Sequence, residues 1–434
     1  MSIHFGTDGI RGTVGEKITA DYVLNIAHAT AIACQPKRVV IGWDTRKSGD
    51  YIVSVFAGVL ASHGIDVIKV GIIPTTGLSF LTSKLSADLG VMITASHNDF
   101  TCNGIKIFSA AGEKIDNQTT AKIDRIISKR KNFAPIPADK VGVITENPDA
   151  IKYWQRFLVA RFKALRSVSK GVRIAVDCAY GSGGQCAGNV LNSLGFDVTL
   201  FNTEYNGINI NHECGATKPR HLRGIMQNGD FDIGFSFDGD ADRCVVVDKN
   251  GETIHGDVLI YLLAKYLNAG KIAVTVLFNL GVKQELNKIG IKVIQTDVGD
   301  KYIYKAIKQH RLALGGETSG HIIISNIWCS GDGLLTALMT LAVMQQSGKT
   351  LGELAKNIET YPQVSNNIPV TSTQKKKIKA YVKTWRSDVG RESYKIIVRP
   401  SGTESIIRVT VEGPSRTQCE QLISQITLEI HKKL

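Results

Sequence analysis

Apolar positions in the first hundred residues alternate between two rhythms. β-Branched runs such as Arg38-Val39-Val40-Ile41-Gly42 give way to helical spacing at Ile52, Val55, Phe56, Val59 and Leu60. One face recurs every second residue in a strand and about every 3.6 residues in a helix, so this alternation predicts α/β structure. Further runs at 66–70 and 89–94, punctuated by Gly64, Gly71 and Pro74, predict two more strands, and Ser96 falls just past the second.

A polar, proline-bearing stretch at 132–148 predicts a linker, after which the rhythm restarts with a strand at 172–177 and a helix at 183–194. Strands at 232–237 and 244–248 flank an acidic loop and end in the turn Lys249-Asn250-Gly251. A third unit follows, with a helix near 258–267, strands at 272–277 and 292–296, the pair Gly315-Gly316 and a strand at 322–325. No sequence repeat relates these units, so three related α/β domains are a topological expectation. After Tyr361-Pro362 the order becomes strand, helix, strand, strand and helix. That last helix offers Ser415 and Gln418 as a capping box, and Cys419, Leu422, Ile423, Ile426 and Ile430 as an apolar face. The expected fold class is therefore α/β: three related mixed α/β domains at 1–148, 149–250 and 251–362, plus a C-terminal α+β domain at 363–434.

Bulk properties narrow the picture. The 434 residues exceed the ~250–300 at which single cores stop growing. With 43% apolar and 21% charged residues, the composition is that of an ordinary globular protein. Residues 1–8 show no signal-peptide pattern and no run of about 18 apolar residues occurs, so a cytoplasmic, non-membrane protein is expected. Eight scattered cysteines without a Cys-x-x-Cys pair suit reduced thiols. The net charge of +13 suits an anionic partner, but the runs Lys129-Arg130-Lys131 and Lys375-Lys376-Lys377 carry no interleaved aromatics. A phosphorylated small molecule is expected rather than nucleic acid.

Candidate chemistry clusters in loops. Asp238, Asp240 and Asp242 follow a hydrophobic strand at alternate positions, which would aim them to one side if the segment stays extended. Two like charges at about 4 Å repel by on the order of 4 kcal/mol at an effective dielectric of 20, so convergence needs a cation. Hard oxygen ligands point to Mg²⁺. A calcium EF-hand fails, because Arg243 and Lys249 stand where its glycine and glutamate belong. A solvated acidic turn is the plain alternative.

Thr94-Ala95-Ser96-His97-Asn98 places a serine at a strand exit beside groups that could orient it, although such tripeptides are also common turns. Asn103-Gly104-Ile105-Lys106 and Gly6-Thr7-Asp8-Gly9-Ile10-Arg11-Gly12 offer cations for a phosphate. Gly315-Gly316-Glu317-Thr318-Ser319-Gly320-His321 offers a carboxylate and hydroxyls of the kind that fix sugar hydroxyls. Arg399-Pro400-Ser401-Gly402-Thr403 combines a guanidinium with hydroxyl donors and a flexible glycine, a way to cradle phosphate. Two segments imitate nucleotide sites and read as structural. Ser347-Gly348-Lys349-Thr350 has Val343 in place of the first P-loop glycine, and the segment 181–186 has Cys186 in place of the third dinucleotide-fingerprint glycine.

Taken in order, FGTDGIRG, TASHN, DGDADR, GGETSGH and RPSGTES resemble the α-D-phosphohexomutase family, over a span from Phe5 to Ser405. The short opening motif, the SGTE form of the last loop and the ending Ile407-Arg408-Val409-Thr410-Val411-Glu412-Gly413 look most like the bacterial branch acting on glucosamine phosphates. The resemblance implies four domains around a central cleft. It also implies a Ser96 phosphorylated in the active state and one Mg²⁺ held by Asp238, Asp240, Asp242 and an oxygen of that phosphate.

By the same resemblance, Glu317 and Ser319 would grip sugar hydroxyls, and Arg399, Ser401, Gly402 and Thr403 would hold the phosphate that is not reacting. Arg11, Lys106, Arg243 and His321 would contact the substrate, with Lys106 and His321 as proton-transfer candidates. The implied reaction interconverts glucosamine 6-phosphate and glucosamine 1-phosphate through a hexose 1,6-bisphosphate, feeding UDP-N-acetylglucosamine synthesis. A homodimer is compatible with this. Two departures stand out: Thr318 where that branch has glutamine, and Asp99 where proline is usual. A mutase for glucose or mannose phosphates, a non-catalytic sugar-phosphate sensor and a Mg²⁺ phosphatase are the alternatives.

Overall fold

The computed structural model describes residues 5–6, 8–129, 136–167, 171–371, 374, 394–400 and 406–433. Four sheets follow one another along the chain. The first holds β1 (Ile10–Thr13), β2 (Arg38–Trp43), β3 (Asp66–Ile72), β4 (Leu89–Ile93), β5 (Cys102–Ser109) and β6 (Ile144–Glu146) in the order β1-β5-β4-β2-β3-β6. The second holds β7 (Arg173–Asp177), β8 (Asp197–Phe201), β9 (Ile233–Phe237), β10 (Cys244–Asp248) and β11 (Thr253–Ile254) in the order β11-β10-β9-β7-β8. In the third, β12 (Lys271–Thr275), β13 (Lys292–Thr296), β14 (Leu314–Gly316) and β15 (Ile322–Ile324) run β13-β12-β14-β15. The fourth orders β16 (Gln363–Pro369), β17 (Lys395–Pro400) and β18 (Ile406–Glu412) as β16-β18-β17.

The first three sheets share one plan. β2, β7 and β12 each lie between two neighbours, and one neighbour (β4, β9 or β14) runs parallel and then pairs antiparallel with the next strand in sequence. The resulting hairpins are β4-β5, β9-β10 and β14-β15. Their connections carry Ser96, the three aspartates and the Glu317-to-His321 segment respectively. A topological position, rather than a sequence repeat, thus relates the three candidate loops. The fourth candidate loop also joins an antiparallel pair, β17 and β18, and its Ser401, Gly402 and Thr403 lie outside the described residues.

Two compact units divide the contacts: 1–277 with 294–356, and 278–293 with 357–434. In the first unit, the helix Ala20–Cys34 is capped by the Thr19 hydroxyl, which accepts from Tyr22 N–H, and buries Val23, Ile26 and Ala27 against Val39, Ile41 and Val91. Each fully buried Val or Ile side chain among these contributes ~1.5–3 kcal/mol. The helix expected at 183–194 divides into a 3-10 turn, Ser182–Gln185, and the short helix Ala187–Ser193. A tertiary contact accompanies the break: Ser182 N–H and its hydroxyl donate to Gly239 C=O, at 2.9 and 3.2 Å, so this turn leans on the acidic loop. The P-loop look-alike is a helix junction, in which Gly348 closes the helix Gly333–Ser347 and Thr350 opens the helix Leu351–Ala355 in a capping box with Glu353.

The second unit packs the helix Arg416–Lys433 on its sheet, with Cys419, Leu422, Ile423, Ile426 and Ile430 buried against Ile368, Val398, Ile407, Val409 and Val411. The expected apolar face is the observed one. The expected capping box is only half formed: Ser415 Oγ accepts from Gln418 N–H at 3.4 Å, but the Gln418 side chain instead accepts from the Tyr394 hydroxyl. The helix expected between β16 and β17 falls in a stretch that, apart from residue 374, lies outside the described residues. Among the described residues, no helix is long and apolar enough to cross a membrane.

Candidate active site

Ser96 is fully buried and adopts φ +53°, a left-handed conformation that costs an L-residue roughly 1–2 kcal/mol. Local bonds hold it there. Its N–H donates to Thr94 Oγ1 at 2.9 Å, and Thr94 Oγ1 in turn donates to Asp44 Oδ2 at 2.6 Å. The Ser96 hydroxyl donates to Asp238 Oδ2 at 2.6 Å, with His97 Nδ1 3.3 Å away. Burial, with Arg243 and Arg11 nearby, pushes His97 down to about 4, so its ring is neutral at physiological pH.

The acidic segment converges, but not by staying extended. Ala241 turns left-handed at φ +53° and donates its N–H to Asp238 C=O at 2.9 Å, so a tight turn replaces the expected straight run. Gly239 is required by close approach, because a Cβ there would stand 2.7 Å from Ser96 C=O. Asp238, Asp240 and Asp242 are all buried, each offering a carboxylate oxygen within 4.8 Å of the others. Asp240 Oδ1 and Asp242 Oδ1 have no hydrogen-bond partner. Burial together with Asp242 and Asp240 pushes Asp238 up to about 8. Buried carboxylate oxygens without hydrogen bonds, in a repelling cluster, fit a hard divalent cation.

Cations surround this cluster. Lys106 Nζ lies 2.7 Å from Asp240 Oδ2, 3.0 Å from Asp242 Oδ2 and 3.2 Å from Asp8 Oδ2. Burial disfavours its charge, but Asp240, Asp242 and Asp8 outweigh burial and hold the ammonium well above its ordinary range. Arg11 and Lys114 pair with Asp8, and Lys114 also pairs with Asp300. Arg243 Nε stands 4.0 Å from Asp238 and 3.9 Å from Asp242, without a hydrogen-bond partner of its own.

The third loop completes this side. His321 lies between Asp242 and Asp300, 3.6 Å from each, and although burial opposes its charge the two carboxylates raise it to about 9. Gly320, at φ +87°, accepts from Cys244 N–H through its C=O at 3.1 Å and tolerates no side chain, since a Cβ would meet Cys244 C=O at 2.3 Å. Glu317 accepts from Gly299 N–H at 3.1 Å, and Ser319 Oγ is buried without a partner. Thr318 turns away from these groups and donates to buried Asp257 at 2.8 Å.

Ser96, Lys106, Arg11, Asp238, Asp240, Asp242, Arg243 and His321 are therefore joined in one network, with Glu317 and Ser319 on the adjoining loop. Arg399 belongs to the second unit, where burial and neighbouring Arg408 lower its pKa, a repulsion that a bound anion would relieve. Sequence reasoning missed Asp44, Arg46, Lys114, Asn211 and Asp300. The pair Asp44 and Arg46 had a signal, being charged residues at the carboxyl end of a buried parallel strand, where α/β proteins place their chemistry.

Against known proteins, residues 2–134, 152–251 and 255–361 match α/β/α domains I, II and III of phosphoglucomutase/phosphomannomutase, and residues 370–429 match its C-terminal domain. The chain belongs to this family, and its chemistry is that of a phosphohexomutase, an isomerase-class phosphotransferase. Relatives named phosphoglucosamine mutase include one from Deinococcus deserti, 38% identical over 430 residues and covering 96% of each chain. Another, from Dictyoglomus turgidum, is 36% identical over 446 residues, covering 100% of this chain and 98% of the relative. A solved phosphoglucomutase/phosphomannomutase family protein from Burkholderia thailandensis shares the fold, with TM-score 0.82 at 22% identity over 98% of this chain and 96% of that one.

Proposed function

We propose that the chain interconverts glucosamine 6-phosphate and glucosamine 1-phosphate, with Ser96 as phosphoryl carrier. The observation that carries this reading is the 2.6 Å bond from Ser96 Oγ to Asp238, inside a cluster of three buried carboxylates. Full-length relatives named phosphoglucosamine mutase support the choice of sugar.

Asp238, Asp240 and Asp242, with an oxygen of the Ser96 phosphate, would hold a Mg²⁺, which when bound neutralises phosphoryl oxygens. In the first transfer the sugar's C1 hydroxyl oxygen bonds to phosphorus as the P–Oγ bond to Ser96 breaks. The hydroxyl proton passes to Ser96 Oγ by way of Lys106 or His321, which gives up one proton to Oγ as it takes one from the sugar hydroxyl, giving glucosamine 1,6-bisphosphate. After this intermediate turns over, its 6-phosphate returns to Ser96 by the reverse process and glucosamine 1-phosphate leaves. Lys106 and His321, both held protonated, are the proposed proton donors. Arg11 and Arg243 would balance the charge of the moving phosphoryl group, and Glu317 and Ser319 would hold sugar hydroxyls. Arg399, Ser401, Gly402 and Thr403 would grip the non-reacting phosphate. A hexose 1,6-bisphosphate would reload any Ser96 that has lost its phosphate.

The test pairs mass spectrometry for phosphate on Ser96 with turnover of glucosamine 6-phosphate in the presence of Mg²⁺ and glucose 1,6-bisphosphate. Phosphate on Ser96 and loss of turnover in Ser96→Ala are expected. Full turnover by Ser96→Ala would end the carrier reading, and faster turnover of glucose or mannose 6-phosphate would reassign the sugar.

A further inference from the structure

We propose that Arg46 and Asn211 form a clamp that positions the carrier serine through its backbone. Arg46 is almost wholly buried at the end of β2, and one arm of its guanidinium pairs with buried Asp44. The other nitrogen, Nη2, donates to the carbonyl oxygens of Ser96, at 3.2 Å, and Asn98, at 2.5 Å. Asn211 reaches the same two oxygens from the second sheet's domain, with Nδ2 2.9 Å from each. Two donors from different domains thus converge on both carbonyls of the turn that carries the reactive hydroxyl.

The convergence has a physical purpose. Ser96 holds an unfavourable left-handed conformation, and the same carbonyl is packed against Gly239 of the acidic loop. Asp44 closes the ring, since it accepts from Arg46 and from Thr94, whose hydroxyl oxygen accepts from Ser96 N–H. The serine's N–H and C=O are both fixed from one buried ion pair, while Asn211 ties that turn to the domain supplying the carboxylates. Neither side chain contacts Ser96 Oγ in these bonds, so both act as positioning residues. In-line phosphoryl transfer is sensitive to placement, and a misplacement of about 1 Å can cost ~100-fold in rate.

This inference rests on the carrier reading, and the experiment separates the two. Asn211→Gly removes the clamp donors while permitting the observed φ of +58°. Arg46→Lys retains a charge opposite Asp44 but loses the fork. Each is compared with wild type for kcat and KM on glucosamine 6-phosphate and for the rate at which glucose 1,6-bisphosphate phosphorylates Ser96, all per folded protein by thermal melt. The expected result is a fall of about tenfold or more in kcat and in the phosphorylation rate, with KM changed by less than about twofold and Arg46→Lys the milder variant. Unchanged rates in both variants overturn the clamp, as does a loss confined to KM or equal to the loss of folded protein. A wild-type enzyme that neither turns over nor accepts phosphate on Ser96 fails the carrier reading instead.

Discussion

Lys106 Nζ lies 2.7 Å from Asp240 Oδ2 and 3.0 Å from Asp242 Oδ2, with 1% of its side chain exposed. This ammonium compensates two of the three clustered carboxylates and also meets Asp8. Removing one partner of a buried ion pair costs about 3–5 kcal/mol, because the remaining charge stays buried.

Lys106→Met is therefore expected to lower thermal stability by that order and to make it strongly dependent on Mg²⁺. A cation binding the carboxylates in the folded state stabilises by mass action, and the variant has more uncompensated charge for it to relieve. Melting with and without millimolar Mg²⁺ measures this. An equal Mg²⁺-induced shift in variant and wild type would show that Lys106 does not compensate the cluster.

Thr318 departs from its expected glutamine, yet its hydroxyl points to Asp257 rather than toward Glu317 or Ser319. Thr318→Val should cost about 1 kcal/mol of stability through the lost hydrogen bond and leave sugar preference intact. The measurement is the ratio of kcat/KM for glucosamine 6-phosphate over glucose 6-phosphate. A tenfold change in that ratio would place Thr318 in contact with the sugar.

His28 Nδ1, within the helix Ala20–Cys34, and His63 Nε2, in the turn that follows the helix Gly49–Ala61, lie 2.7 Å apart. Burial lowers both pKa values, and the proximity of His63 lowers His28 further. With folded values below the unfolded value near 6.5, the pair's contribution is present above that pH and is lost as pH falls through the folded values. Between pH 7.5 and 5.5, wild type should lose more melting temperature than His63→Asn does. Parallel loss in both proteins would mean that the pair does not report on pH.

The β-branched runs were legible because strand and helix periodicities differ, and so were the helix face from Cys419 to Ile430 and the loops that carry Ser96, the three aspartates and Glu317 to His321. The nearness of the three carboxylates was legible in the sequence, because they stand at alternate positions just past a hydrophobic strand. The geometry of their loop was not, since an alternating pattern assumes extended backbone whereas Ala241 turns left-handed. The Gln418 side chain shows the same limit at smaller scale: local pattern suggested a capping box, and Tyr394, 24 residues away, took its oxygen.

By itself the sequence determined which residue types were available, where the strands end and which family these motifs resemble. Tertiary structure decided their company. It brought the β4-β5, β9-β10 and β14-β15 connections together, so that Ser96 meets Asp238 across 142 positions and Asn211 meets Ser96 C=O across 115. Periodicity reports what one segment does with its own neighbours. Which buried charge pairs with which is set by the packing of separate sheets, where an unpaired charge costs several kcal/mol and only particular partners remove that cost.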